Sequence, residues 1–240
     1  MNYQIINIYW LHVWGTNSKW TIVDGDKVKL HNINRGLLYT ASDAGWLTST
    51  ESYKAQVVAK FLQDATFISK WYDLAAEIKD TPFDVVLALA NERNVRTALA
   101  HRNAPVLLHA TTGENWLSQL HRHVAGADDC IECRTSEVAN LHMECSIGTV
   151  KTTEKENQSN DAALPFLSAT SGLMLATLLQ KLEAGLIMED FHNDWRFDFL
   201  STKRMASAGK RRCREGCAIW QPLEVRRCAN KGNRWLHLDR

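Results

Sequence analysis

The chain has 240 residues, of which 45% are apolar and 23% charged, with a formal net charge of +1. That length suits one large domain or a domain with a small appendage. The charge content excludes a membrane protein, and the near-neutral balance gives no general pull toward nucleic acid or anionic lipid. The apolar stretch Ile5 to Trp14, interrupted by Asn7 and His12, is too short to span a bilayer. It also lacks the basic lead and small-residue cleavage site of a secretory signal. A cytoplasmic protein with no membrane partner is expected.

Residues 1–19 form an apolar N-terminal segment, and Trp20 to Val23 then reads as a short buried strand running into the turn signal Asp24-Gly25-Asp26. Residues 51 to 63 read as a helix with Ala55, Val58, Phe61 and Leu62 on one face. Phe83 to Ala90 is an unbroken apolar run, as expected of a strand buried on both faces of a parallel sheet. A helix over 92 to 102 and a strand from Val106 to Ala110 follow, with Pro105 at the strand's start. Strands alternating with helices predict an α/β fold, a Rossmann-like, mostly parallel sheet flanked by helices. Residues 151 to 161 are polar throughout and read as an exposed loop. An apolar helix is expected from Leu164-Pro165 to about Leu182, closed by Gly185. The main domain is expected over 20–185, with a crossover loop near 146–163, and a C-terminal lobe over 186–240.

Six cysteines are present. Cys130-Ile-Glu-Cys133 and Cys213-Arg-Glu-Gly-Cys217 are two close pairs, each able to converge on one ion. Together they complete a tetrahedral sulfur shell that suits zinc and leaves no position open for catalysis. The bland alternative is four ordinary reduced thiols, and Cys228 is a bystander. His121 and His123 could join a metal site, but a His-x-His in a polar segment is more often exposed.

An aspartate at the C-terminal end of a strand is where an α/β sheet presents ligand groups, and Asp24 could accept two ribose hydroxyls. Asn32 and Arg35 follow closely, and Arg35 could fork onto a phosphate. Lys54 could add a point charge. The run Val23-Asp24-Gly-Asp26-Lys-Val-Lys-Leu-His-Asn32-Ile-Asn-Arg35 resembles the ThiF/MoeB and ubiquitin-activating family. So do Asp43-Ala44-Gly45 with Lys54-Ala55, the stretch Asp84 to Arg96, the two cysteine pairs, and Leu164 to Gly172.

The resemblance implies ATP-dependent adenylation of the C-terminal carboxylate of a ubiquitin-like or sulfur-carrier protein, with ATP and Mg²⁺ as co-substrates and a homodimer as the assembly. By position, Asp24 would bind the ribose and Asn32, Arg35 and Lys54 the phosphates, with Asp26 and Asn91 also among the nucleotide-binding residues. Asn91 stands where the family has a magnesium aspartate, with Glu92 as a compensating carboxylate. Arg35 and Lys54 are the catalytic candidates, with Cys145 as the candidate thioester cysteine. Zinc would be structural, stapling the C-terminal lobe.

The sequence also departs from the family. No G-x-G-x-x-G turn precedes the Asp24 strand, and Gly15 is the sole glycine in the 19 residues before it. Asn2 to Trp14 would then be the family's first helix or an unrelated apolar extension, and the start either a truncated gene model or that of a degenerate relative. A non-catalytic relative that binds a ubiquitin-like partner or an active subunit is therefore the alternative. A dinucleotide-dependent oxidoreductase is a weaker one, against which the cysteine pairs and the Asn32…Arg35 spacing argue. A nucleic-acid role would rest only on the basic cluster Lys203, Arg204, Lys210, Arg211, Arg212 and Arg214 with Arg226 and Arg227, and such runs are usually solvated faces.

Overall fold

The computed structural model describes residues 19–33, 36–62, 64–72, 81, 83–90, 93–101, 104–113, 116–124, 127–134, 164–184, 192–201 and 205–217. In chain order the elements are β1 (Trp20–Val23), α1 (Leu30–Ile33), α2 (Lys54–Ala59), β2 (Ala65–Ile68), β3 (Val85–Leu87), α3 (Arg93–His101), β4 (Val106–Gly113), β5 (Leu117–Val124), α4 (Ile131–Arg134), α5 (Pro165–Glu183), β6 (Asp194–Asp198) and β7 (Ala206–Gly209).

The strands fall into a parallel pair, β1 with β2, and a five-stranded sheet in the order β3-β4-β5-β6-β7. β3 and β4 are parallel, in register Val85↔Val106 to Leu87↔Leu108. From β4 onward the ladders are antiparallel. The α/β class is as expected, with parallel pairing in the N-terminal half. The antiparallel run was not foreseen; short links account for β4–β5 and β6–β7, where a parallel return would need a crossover of a dozen or more residues, while β5 and β6 are joined by a long excursion that contains α4 and α5. β6 and β7 lie in the segment assigned to the C-terminal lobe, and they continue this sheet.

β4 is buried on both faces because its side chains alternate. Val106, Leu108 and Ala110 meet one core, with Leu120 and Val124 of β5 and Leu175, Leu178, Leu179 and Leu182 of α5. Leu107 meets a second core, with Ala88, Ala100, Cys130 and Ile131. α5 starts with Pro165 in its first turn, where a missing N–H costs nothing. Two serines stitch the helix to the sheet. Ser118 Oγ donates to Leu167 O at 2.8 Å, and Ser171 Oγ donates to Thr111 O at 3.0 Å.

Two predicted elements are shorter than expected. The helix over 51 to 63 is regular only at Lys54–Ala59, and the strand over 83 to 90 only at Val85–Leu87. β4 runs to Gly113, three residues past its expected end. No helix among the described residues is long and apolar enough to cross a membrane.

Candidate functional site

Asp24 follows β1 directly, and its N–H donates to Ile68 O at the end of β2 at 3.2 Å. Its Oδ1 accepts the Asp26 N–H at 2.8 Å, a local turn that aims the carboxylate away from the strand. Burial pushes the Asp24 carboxyl up to about 6, against the pull of the Asp26 hydrogen bond and of Lys54. Lys54 is 4% exposed, and its ammonium is paired with Asp26 Oδ2. Its own N–H donates to Asp26 O at 2.9 Å, so the head of α2 is fixed to the turn after β1. The structure thus brings Asp24, Asp26 and Lys54 together.

Asn32 is 2% exposed, and its Oδ1 accepts the Lys29 N–H at 2.8 Å. That oxygen closes the turn entering α1. Arg35, Asn91, Glu92 and Cys145 lie outside the described residues.

Two aromatic residues at this end carried no sequence signal. Tyr39 is 5% exposed and its hydroxyl has no hydrogen-bond partner among the described residues. Burial raises its phenol far above the ordinary value, and the charges of Asp24, Asp26 and Asp43 add to the effect. Trp71 packs so closely on Gly25 that a Cβ there would stand 2.8 Å from the Trp71 N and 2.9 Å from its ring. Gly25, Tyr53, Ser69, Lys70 and Trp71 line an open cleft of about 480 Å³ beside Asp24.

The second constellation is the cysteine cluster. Cys130 precedes α4 and Cys133 lies on it, while Cys213 and Cys217 follow β7. The four sulfurs lie within 4.8 Å of one another. Cys130 Sγ is 3.5 Å from Cys217 Sγ, and the Cys130 N–H donates to Cys213 Sγ at 3.2 Å. Gly216 takes φ +74°, a left-handed turn that lets the second pair fold back. Burial pushes the Cys130 thiol up to about 12, and Cys217 and Cys133 add to the rise. Cys213 is raised further, again by burial first. Four crowded sulfurs, with Cys130 and Cys213 held from ionising by burial, fit a divalent cation, which stabilises all their thiolates at once.

The turn before Cys130 is held by a buried charge network. Arg122, 2% exposed, forks onto Asp128 at 2.8 and 3.2 Å, and Lys210 Nζ reaches Asp128 Oδ1 at 2.5 Å. Arg134 bonds Asp129 at 2.8 and 3.1 Å and pairs with Asp194 at 2.6 Å. Asn193 Nδ2 donates to Asp129 Oδ1 and to Arg211 O. Burial alone would raise Asp129, but hydrogen bonds from His121 and Arg134 take it well below the carboxylate range. His121 and His123 are 3% and 2% exposed, both directed at Asp129 O. The expectation of an exposed His-x-His is therefore corrected. The acidic pair Asp128-Asp129 neutralises a strand whose sequence looks polar, and the pair itself was the overlooked signal. Lys210 of the basic cluster is likewise engaged within the protein.

The ThiF family model matches residues 10–218. No curated protein matches the chain by sequence at a significant level. Among solved structures, E. coli MccB with AMPCPP and MccA superposes with TM-score 0.65 at 13% identity, over 92% of this chain and 65% of that one. E. coli MccB with ATP gives TM-score 0.66 at 12% identity, over 92% and 64%. PaaA gives 0.58 at 12% identity, over 87% and 69%. This chain thus spans just under two thirds of the length of the MccB structures it resembles.

Proposed function

We propose an activity from one premise: the chain belongs to the ThiF family. The activity is adenylation, with ATP, of the C-terminal carboxylate of a peptide or a small ubiquitin-like or sulfur-carrier protein. The observation that carries it is the pairing of buried Lys54 with the partly exposed Asp26 beside the raised carboxyl of Asp24, next to the cleft that Gly25 lines. Asp24 accepts the ribose hydroxyls, and Trp71 offers its face to the base. Lys54 exchanges Asp26 for the polyphosphate, joined by Arg35, with Asn32 holding the loop. Magnesium falls to Asn91 and Glu92. The substrate carboxylate attacks the α-phosphorus, forming a new O–P bond as pyrophosphate leaves. The protein's part is to position and to neutralise charge. Cys145 is the candidate for a later thioester. MccB, crystallised with ATP and with MccA, supports a peptide or carrier as partner.

Cys130, Cys133, Cys213 and Cys217 would hold zinc, which supplies cross-linking and no open coordination position. A cytosolic setting keeps those thiols reduced. A homodimer completes the reading.

The second reading, a non-catalytic relative, is supported by Asn91 in place of an aspartate. ATP–pyrophosphate exchange with candidate carriers separates the two. Exchange that depends on carrier and magnesium is expected, and carrier binding with no exchange would overturn the enzyme reading.

A further inference from the structure

The loop after α1 holds Tyr39 in one place. The Tyr39 N–H donates to Gly36 O at 3.1 Å, closing a four-residue turn. A Cβ on Gly36 would stand 2.5 and 2.9 Å from two carbons of the Tyr39 ring and 3.0 Å from Asn32 O, so the absence of a side chain there lets the ring lie close. The ring packs in the main core with Val28, Leu38, Val57 and Val58. Val28 lies two residues past Asp26, and Val57 and Val58 lie one turn on from Lys54 in α2. Tyr39 therefore shares a core with both segments that carry the charged groups of the nucleotide end.

The Tyr39 hydroxyl is buried and has no partner among the described residues. Asp24 is the carboxylate that acts on it most strongly, ahead of Asp26 and Asp43. Burial and those charges keep the phenol protonated, so it stands as a hydrogen-bond donor. Packing among valines and leucines does not call for that oxygen, since phenylalanine would fill the same space with no polar atom to satisfy. A donor beside a carboxylate has a matching ligand. Each hydroxyl of a ribose can give its proton to the carboxylate and still accept a bond on its lone pairs. A phosphate would bring negative charge to three carboxylates, and a base amino group would bring a donor to a donor. A sugar diol suits both members of the pair.

We propose that Tyr39 is a specificity-determining residue for the nucleotide sugar: its hydroxyl donates to a ribose hydroxyl whose proton Asp24 accepts, so that the site selects ribonucleotides over deoxyribonucleotides. This rests on the adenylation reading for the nucleotide. A deoxy analogue that lacks this hydroxyl leaves the buried donor unmatched, and a site built to bond a substrate hydroxyl rejects the analogue without it.

The test uses the full zinc-loaded chain and measures by calorimetry the affinity for ATP, 2′-deoxy-ATP and 3′-deoxy-ATP, and for the three corresponding nucleosides, in wild type and Tyr39→Phe. The substitution removes a single unbonded oxygen, so the free variant should show a raised thermal midpoint. It should bind ATP about tenfold more weakly, the effect of one lost hydrogen bond. One of the two deoxy analogues should lose nothing further in Tyr39→Phe. That non-additivity ties the phenol to one sugar hydroxyl, and a tyrosine that only packs the core would not give it. Equal losses for ATP and both deoxy analogues, or no loss at all, overturn the sugar contact while ATP binding keeps the adenylation reading. Non-additivity with the nucleosides in a chain that does not bind ATP keeps the sugar contact and removes the adenylation reading. A wild type that binds neither ATP nor adenosine overturns both.

Discussion

Asp24→Asn tests whether the nucleotide end is held ready at a cost in stability. The Asp24 carboxyl stands at about 6, against 3.8 for the ordinary group, and burial is the main cause. A raised carboxyl pKa means that the folded state keeps its proton where the unfolded chain has lost it. The group therefore destabilises the fold increasingly as pH rises from about 4 to about 6, and the cost is fully present above that. Two units correspond to a ceiling of about 3 kcal/mol. Between about pH 5 and about pH 7.5 the linkage relation leaves about 1.5 kcal/mol still to develop. Asparagine keeps the oxygen that accepts the Asp26 N–H and removes the charge. Urea unfolding of both proteins at both pH values isolates the effect as a difference of differences. The variant should be more stable at the higher pH by a margin that shrinks by about 1.5 kcal/mol at the lower one. It should also bind ATP more weakly, because the ribose loses its anionic acceptor. A stability difference that is absent at pH 7.5, or equal at both pH values, would refute the reasoning.

Chelation should remove one zinc per chain, measured by elemental analysis, and lower the thermal midpoint, and Cys133→Ser should do the same. Arg122→Met leaves buried Asp128 with Lys210 as its one remaining counter-charge among the described residues, and should cost about 3 kcal/mol in urea unfolding. Lys54→Met removes a buried ammonium whose partner Asp26 is partly solvated, so stability should change by less than about 1 kcal/mol while pyrophosphate exchange is lost.

Where residues announce their environment by type, sequence and structure agree. Trp20–Val23 and the head of β4 are apolar and β-branched, and the helix expected from Leu164-Pro165 to Leu182 is found at Pro165–Glu183. β5, by contrast, reads Leu-Ser-Gln-Leu-His-Arg-His-Val and is buried almost throughout. Its histidines and arginine are paid for by Asp128 and Asp129, and pairing across space leaves no periodic trace. β7 reads Ala-Ser-Ala-Gly, with little intrinsic strand preference, and the sheet it joins imposes the form, while Trp195 and Phe197 give β6 an alternation too short to stand out. At the site, Asp24 and Lys54 were legible because a strand end and a helix head are marked in sequence. Tyr39 and Trp71 were not, since only the fold brings one beside Asp24 and Asp26 and the other against Gly25.

The buried charges before Cys130 also set an order of events during synthesis. Arg122, Asp128 and Asp129 emerge from the ribosome well before Asn193, Asp194, Lys210 and Cys213, and Cys213 lies 83 residues after its partner Cys130. Until those later residues arrive, the turn after β5 lacks several of its partners, and enclosing its carboxylates would be costly. The central hairpin of β4 and β5 must therefore wait, open on one side, for the C-terminal strands. A segment made much later licenses the middle of the sheet to close, so a chain cut short before Lys210 should accumulate as an unfinished, chaperone-dependent species.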